Sequence, residues 1–301
     1  MRLGLFVLLM GSAMFVHLRG RARFGLMKAL TDYTVLLAPF NMLMVLFSRV
    51  NARPYAAVTE FPDLAPLQAH WQEIRAEALR LDEAGRIGVA TGYNDLGFNS
   101  FFRSGWKRFY LKWYGDDLAS ARAACPRTVA LLATIPSIKG AMFTSLPPEG
   151  RLVRHRDPYA GSLRYHLGLV TPNSPDCYIE VDGQRYFWRD GEAVVFDETF
   201  IHHAENRTDQ QRVILFCDVE RPIRSPLLAA INRWFADHVM AASASQNEAG
   251  ERIGGLNRFF QVAYRARLKA KQLKAGHRRL YYLSKWVAIL GLIYPIFFSW
   301  I

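Results

Sequence analysis

The stretch that decides the fold is Arg151–Pro222. It opens RLVRHRDPYAGSLRYHLGL (151–169), continues VDGQRYFWRDGEAVVFDETFIHH (181–203) and closes AENRTDQQRVILFCDVERP (204–222). Its alternating segments read as short strands, and Asp182-Gly183 supplies the two-residue turn of a β-hairpin. On a strand, residues i and i+2 face one way, so His155 and Asp157 aim at a common point. A later strand of a small barrel brings a distant third ligand, His202 or His203, across to meet them. Two imidazoles and a carboxylate on one face of a metal are the ligand set of non-haem Fe(II) oxygenases, which keep positions open for a chelating cosubstrate and O₂. Arg212 follows His202 by ten residues, in the apolar run RVILFCDV. It suits a planar bidentate clamp on a carboxylate, which is what 2-oxoglutarate needs at its far end. An H-x-D pair alone is ordinarily a hydrogen-bonded surface pair. Four spaced elements in this order, on strands, are a site.

Length and composition bound what surrounds that stretch. A chain of 301 residues holds one sizeable catalytic domain plus appendages. Cys125, Cys177 and Cys217 have no CxxC spacing and include an odd one, which reads as a reduced compartment and three small core hydrophobes. The net charge of +12 is unevenly spread. Residues 1–31 carry five basic residues and no acid, residues 252–301 carry ten and no acid, and the middle is therefore left at −3. No nucleic-acid motif or basic face with stacking aromatics stands out, so nucleic acid is not an expected partner. Basic flanks beside apolar segments read as membrane-surface anchors, and no protein partner is inferred.

The first apolar segment is LGLFVLLMGSAMFV (3–16), followed by HLRGRAR (17–23). Its charge lies on the wrong side for a cleaved signal peptide, and the positive-inside rule places Arg19–Lys28 in the cytoplasm. It is short for a span, so an interfacial anchor is the other option. VLLAPFNMLMVLF (35–47), interrupted by Pro39 and Asn41, reads either as a membrane-facing element or as an ordinary buried helix. At the far end, a basic helix over Asn257–Lys285 leads into WVAILGLIYPIFFSWI (286–301), which is bounded by tryptophans like an aromatic belt.

Between the flanks, Leu64, Leu67, Trp71, Ile74, Ala78 and Leu81 mark an amphipathic helix over Asp63–Gly85. Tyr93–Tyr114 is rich in aromatics, and its Arg103, Lys107, Arg108 and Lys112 suggest either a basic rim that meets lipid phosphate or sugar, or a solvated strand face. Thr128–Leu146 reads as a helix end and a core strand, Leu227–Met240 as a helix, and ASASQNEAG (242–250) as a polar linker.

LRYHLGL (163–169), DGEAVVFDETFIHHAEN (190–206) and RVILFCDVERP (212–222) resemble the aspartyl/asparaginyl β-hydroxylase family of 2-oxoglutarate dioxygenases. With VHLRGRAR (16–23), YNDLGFNSFFRSGWKRFYLKWYGD (93–116) and HRDPYAGSLRYHLGLVTPN (155–173), residues 17–225 are similar to the bacterial lipid A 2-hydroxylases within it. The resemblance implies a mainly β fold with flanking helices, its catalytic core a double-stranded β-helix (jelly-roll, cupin-like) with membrane-anchoring terminal helices. Apolarity, charge and the resemblance together divide the chain into anchors at 1–18 and 286–301, a membrane-proximal segment at 19–60, the dioxygenase domain at 61–226 and a basic helical region at 227–285. The resemblance implies Fe(II), 2-oxoglutarate and O₂ acting on C2 of an acyl chain of lipid A or its Kdo-bearing form, at the bacterial inner membrane with the catalytic domain facing the cytoplasm. The family register FDET-x-x-H selects His202 over His203, and Thr144, Arg164 and His166 match cosubstrate contacts. Peptidyl β-hydroxylases of the family lack the carboxylate ligand, which leaves Asp157 open as a ligand. A peptidyl aspartyl/asparaginyl hydroxylase and a non-catalytic membrane scaffold are the competing readings.

Overall fold

The computed structural model describes residues 2–25, 28–29, 32–90, 93–115, 117–285, 287 and 291. Helix α1 (Arg2–Leu18) and α2 (Ala38–Leu46) precede a two-residue strand β1 (Tyr55–Ala56). Then come α3 (Ala65–Ala69), α4 (Trp71–Glu83), β2 (Lys107–Trp113), α5 (Ala119–Ala124) and α6 (Pro126–Ala133). The strands β3 (Ile138–Leu146), β4 (Arg151–His155), β5 (Ser162–Val170), β6 (Cys177–Val181) and β7 (Gln184–Phe187) follow. The sheets are completed by β8 (Ala193–Phe196), β9 (His202–Asn206) and β10 (Arg212–Glu220), and α7 (Pro226–Phe235) and α8 (Gly255–Gly276) close the chain.

One sheet has the order β1-β8-β5-β10-β3-β2 and the other β4-β9-β6-β7, and every pairing within them is antiparallel. From β3 to β10 the chain passes back and forth between the sheets, so eight strands divide four and four. That is the jelly-roll expected from the sequence. The hairpin between β6 and β7 turns at Asp182 (φ 53°) and Gly183 (φ 82°), the two positive-φ positions that its tight turn needs.

The larger sheet is buried on both faces, and the two faces have different chemistry. Leu163, Tyr165, Leu167, Val213, Leu215 and Cys217 point outward into a core shared with Ile74, Ala78 and Leu81 of α4 and Leu132 of α6. The alternate residues point between the sheets, where Met142, Ile214 and Phe216 meet Ile179, Val181 and Ala204 of the smaller sheet. Polar Thr144, Arg164, His166, Arg212 and Asp218 share that inner face, all buried. Burying so polar a set is costly unless its members find partners.

Four expectations are revised. The helix over 63–85 breaks at His70 (φ −104°, ψ 21°), with Leu67 and Ile74 buried on either side of the break. Arg108 is not on a basic rim; its strand position points inward, where Asp95 receives its Nε at 2.9 Å with both side chains buried. The segment read as a polar linker is packed: Ser245 accepts from Arg108 at 3.1 Å, and Asn247 both accepts from and donates to the backbone of Tyr110. The basic helix ends at Gly276 and the chain is helical again over 278–285. Among the described residues no helix is long and apolar enough to cross a membrane. The C-terminal anchor segment lies outside the described residues except for positions 287 and 291. All three cysteines are free and buried.

Candidate active site

β4 and β9 are neighbours in the smaller sheet, and their register sets His155 opposite His202. An irregularity between Leu152 and His155 shifts the register there and re-aims the end of β4. Asp157, two residues on, is fixed by its own N–H, which donates to the Glu198 carbonyl at 2.9 Å. The three side chains converge: one donor atom from each of His155, Asp157 and His202 lies within 4.8 Å of the others, and the two imidazole rings are 4.2 Å apart. His203, the next residue, points to the other face of β9 toward Glu180 and Glu205.

The donor set fits a divalent metal in its tautomers as well as its positions. His155 Nδ1 lies 2.7 Å from the Val153 carbonyl and His202 Nδ1 lies 2.9 Å from the Phe200 carbonyl. A ring that donates from Nδ1 to a carbonyl presents its Nε2 lone pair, the usual arrangement behind a metal-bound histidine. Burial lowers His202 to about 3, helped by the neighbouring His155, and lowers His155 as well, so both rings are neutral at physiological pH. Burial pushes the Asp157 carboxyl up, but Arg164, His202 and His155 outweigh it and hold it below its ordinary range. Two neutral imidazoles and one carboxylate are ready to ligate.

Arg164 is committed to carboxylates. Its Nη2 donates to Asp157 Oδ2 at 2.8 Å and pairs with Glu198, and its Nε lies 2.9 Å from Asp218 Oδ1. Ser162 donates to Glu198 at 2.7 Å and Tyr114 donates to Asp218 at 3.0 Å. Held by its Oδ2, Asp157 leaves Oδ1 on the side of His155, 3.6 Å from Nε2. Asp218 and Tyr114 were not read from the sequence, although Asp218 follows Arg212 at an even spacing and so shares its face.

Arg212 has the opposite character. Its guanidinium is buried, its Nη2 donates to Thr144 Oγ1 at 3.3 Å, it lies 4.5 Å over the Trp188 ring, and its Nε has no partner. No carboxylate among the described residues pairs with it, and burial lowers it to about 10. Beside it His166 is buried with both ring nitrogens unpartnered, and burial, then the Arg212 and Arg164 cations, push it well below its ordinary range. Phe98, Phe101, Trp106, Trp188 and Phe196 complete an apolar wall around one cavity that holds the triad, Thr144, His166 and Arg212. The Phe101 ring packs edge-on to His155 at 4.8 Å. One cavity thus brings together a ligand triad and a buried cation with no carboxylate partner among the described residues, in a largely apolar lining.

Two histidines and a carboxylate within the jelly-roll could together hold a divalent metal. Residues 68–222 match the aspartyl/asparaginyl β-hydroxylase family, and the chain belongs to it. An ornithine lipid ester-linked acyl 2-hydroxylase of Rhizobium tropici is 34% identical over 186 residues, which are 60% of this chain and 65% of that protein. The human aspartate beta-hydroxylase domain-containing protein 2 is 29% identical over 189 residues, 60% of this chain and 49% of that one. The chain therefore spans less than two thirds of the length of either relative. A Pseudomonas putida prolyl-4-hydroxylase structure overlays 51% of this chain and 87% of its own, at 18% identity and a TM-score of 0.34.

Proposed function

We propose that this hydroxylase-family chain is an Fe(II)- and 2-oxoglutarate-dependent dioxygenase that hydroxylates C2 of an acyl chain of lipid A, in free or Kdo-bearing form, at the cytoplasmic side of the bacterial inner membrane. The observation that carries the cosubstrate is Arg212, a buried guanidinium with no carboxylate partner among the described residues, in one cavity with His155, Asp157 and His202. A dicarboxylate cosubstrate would find a cation for one of its carboxylates in Arg212, with His166 and Thr144 lining the same cavity. When bound, Fe(II) and 2-oxoglutarate would supply the electrons that activate O₂, the cosubstrate leaving as succinate and CO₂.

The chain's own residues do the rest. His155, Asp157 and His202 would hold the metal. Arg164 keeps Asp157 aimed by its Oδ2. Arg212 donates to the distal carboxylate and, together with the apolar wall, excludes water, which strengthens every charged contact inside. The lipid part of the proposal is supported by the Rhizobium relative, whose own name specifies an acyl chain, and by the apolar flanks of the chain.

The test is succinate formation by purified protein supplied with Fe(II), 2-oxoglutarate, O₂ and either lipid A or an Asp/Asn-bearing peptide. Lipid-stimulated turnover that disappears in Arg212→Met supports the proposal. Turnover stimulated by the peptide and not by the lipid transfers the site to the peptidyl reading.

A further inference from the structure

Helix α1 carries no charged residue from Leu3 to Val16, yet Val7, Leu8 and Met14 are 60%, 49% and 56% exposed. Its inward face is closed: Phe15 packs into a small core with Phe40, Met44 and Val45 of α2 and with Leu228 and Ala229 of α7. The three helices therefore share one small core. Their outside is largely apolar. On α2 and its C-cap, Leu43, Leu46 and Phe47 face out. On α7, Leu227, Ile231 and Trp234 do so, at the i, i+4, i+7 spacing of a single stripe. A contiguous apolar face built from three helices is more than a soluble monomer ordinarily leaves open.

The rim is basic. Arg21 and Arg23 follow α1 and are exposed. Arg49 and Arg224, both exposed, are brought to the end of α2 by backbone hydrogen bonds, Arg49 N–H to the Pro222 carbonyl and Arg224 N–H to the Phe47 carbonyl, each 2.8 Å. Arg233, beside Trp234, is exposed as well, although it pairs with Glu220 at 3.6 Å. Apolar helices too short to cross a bilayer, ringed by arginine, match a surface that is apolar beneath and anionic on top.

We propose that α1, α2 and α7 form a platform that seats flat on an anionic phospholipid bilayer, with its apolar face at the headgroup–acyl boundary and its arginines on the phosphates. The platform is fastened to the metal-ligand strands. Asn41 of α2 donates to the Pro158 carbonyl at 2.8 Å and accepts from the Ala160 N–H at 2.9 Å, immediately past Asp157. Arg19, at the end of α1, donates to Thr199 at 2.6 Å and pairs with Asp197 at 3.1 Å, in the loop that leads to His202. Docking therefore holds both ligand-bearing segments close to the bilayer. That last point rests on the lipid-hydroxylase reading; the platform does not.

The test is flotation of the full-length protein with vesicles of phosphatidylcholine alone or containing about a third phosphatidylglycerol. The expected result is preferential binding to the anionic vesicles, weakened by high salt, with at least about a tenfold loss of partitioning in Leu46→Asp/Phe47→Asp and in Ile231→Asp/Trp234→Asp. A nitroxide label at Leu43→Cys, placed there selectively because the native cysteines are buried, gains contact with membrane-dissolved O₂ on binding. Wild-type partitioning by both folded double variants overturns the proposal, as does a label that stays in water on bound protein. A soluble dimer that shields the label without vesicles overturns it too. Intact vesicle binding by a protein that leaves lipid A unmodified sinks the lipid A reading and keeps the platform.

Discussion

Arg212→Met separates two roles that most active-site substitutions confound. Burial takes the Arg212 guanidinium from its ordinary 12.5 to about 10. A base that gives up its proton more readily in the folded chain is destabilising wherever it stays charged, and this gap corresponds to about 3 kcal/mol at neutral pH. The bond to Thr144 and the contact with Trp188 return roughly 1 kcal/mol each. Replacing the side chain with an apolar one of similar length therefore relieves about 1 kcal/mol, and the thermal midpoint of the cosubstrate-free protein should hold or rise by about 2–4 °C. Cosubstrate binding should move the other way. Removing one partner of a buried charge-assisted pair costs about 3 kcal/mol or more, so 2-oxoglutarate affinity should fall at least about 100-fold. Calorimetric titration of manganese-loaded, O₂-free protein reads the affinity, and scanning calorimetry reads the midpoint. Unchanged affinity, or a midpoint that drops by more than about 5 °C, would refute the assignment of Arg212 as an anion receptor held in reserve.

Three further outcomes follow from the same geometry. His203→Ala should leave Co(II) affinity within about threefold, whereas His202→Ala should lower it by at least about 100-fold, because only His202 faces the cluster; optical titration distinguishes them. Burial raises the Asp197 carboxyl, but Arg19 and Arg221 more than compensate and hold it well below its ordinary range. A depressed carboxylate stabilises the fold above its unfolded value and loses that contribution as pH falls through the folded one. Urea melts should therefore show Asp197→Asn less stable by a constant 2–4 kcal/mol (roughly) from pH 7 to about 5, with the gap narrowing below about pH 4. A Cβ at Gly168 would lie 2.0 Å from the Arg189 carbonyl oxygen, so Gly168→Ala should cost about 2 kcal/mol or more in the same melts.

The sequence made the jelly-roll legible because strands have a period of two. Alternation in 162–170 and 212–220 shows which residues share a face, and it puts Arg164 with His166. His155 and Asp157 also converge, but β4 ends at His155 and Asp157 is set past the strand by its N–H bond to the Glu198 carbonyl. Periodicity does not say which faces meet across the barrel. Nothing in the run near Arg164 shows that Asp157, Glu198 and Asp218 converge on it, so its resemblance-based role as a cosubstrate contact could not be weighed against a role in aiming Asp157. Arg19 looked like one more flanking positive charge. Its pairing with Asp197, far away in sequence, is a tertiary contact that no local pattern encodes. Ser245 and Asn247 are the same lesson in reverse, since polar residues read as linker become partners once a buried strand needs its backbone satisfied.

The most direct test of the central claim is mass spectrometry of lipid A from bacteria expressing the wild-type chain or His155→Ala, with both proteins verified in the membrane fraction. One added oxygen on an acyl chain, located at C2 by fragmentation and absent with His155→Ala, is the predicted result. Lipid A of unchanged mass in cells that contain the wild-type protein would contradict it.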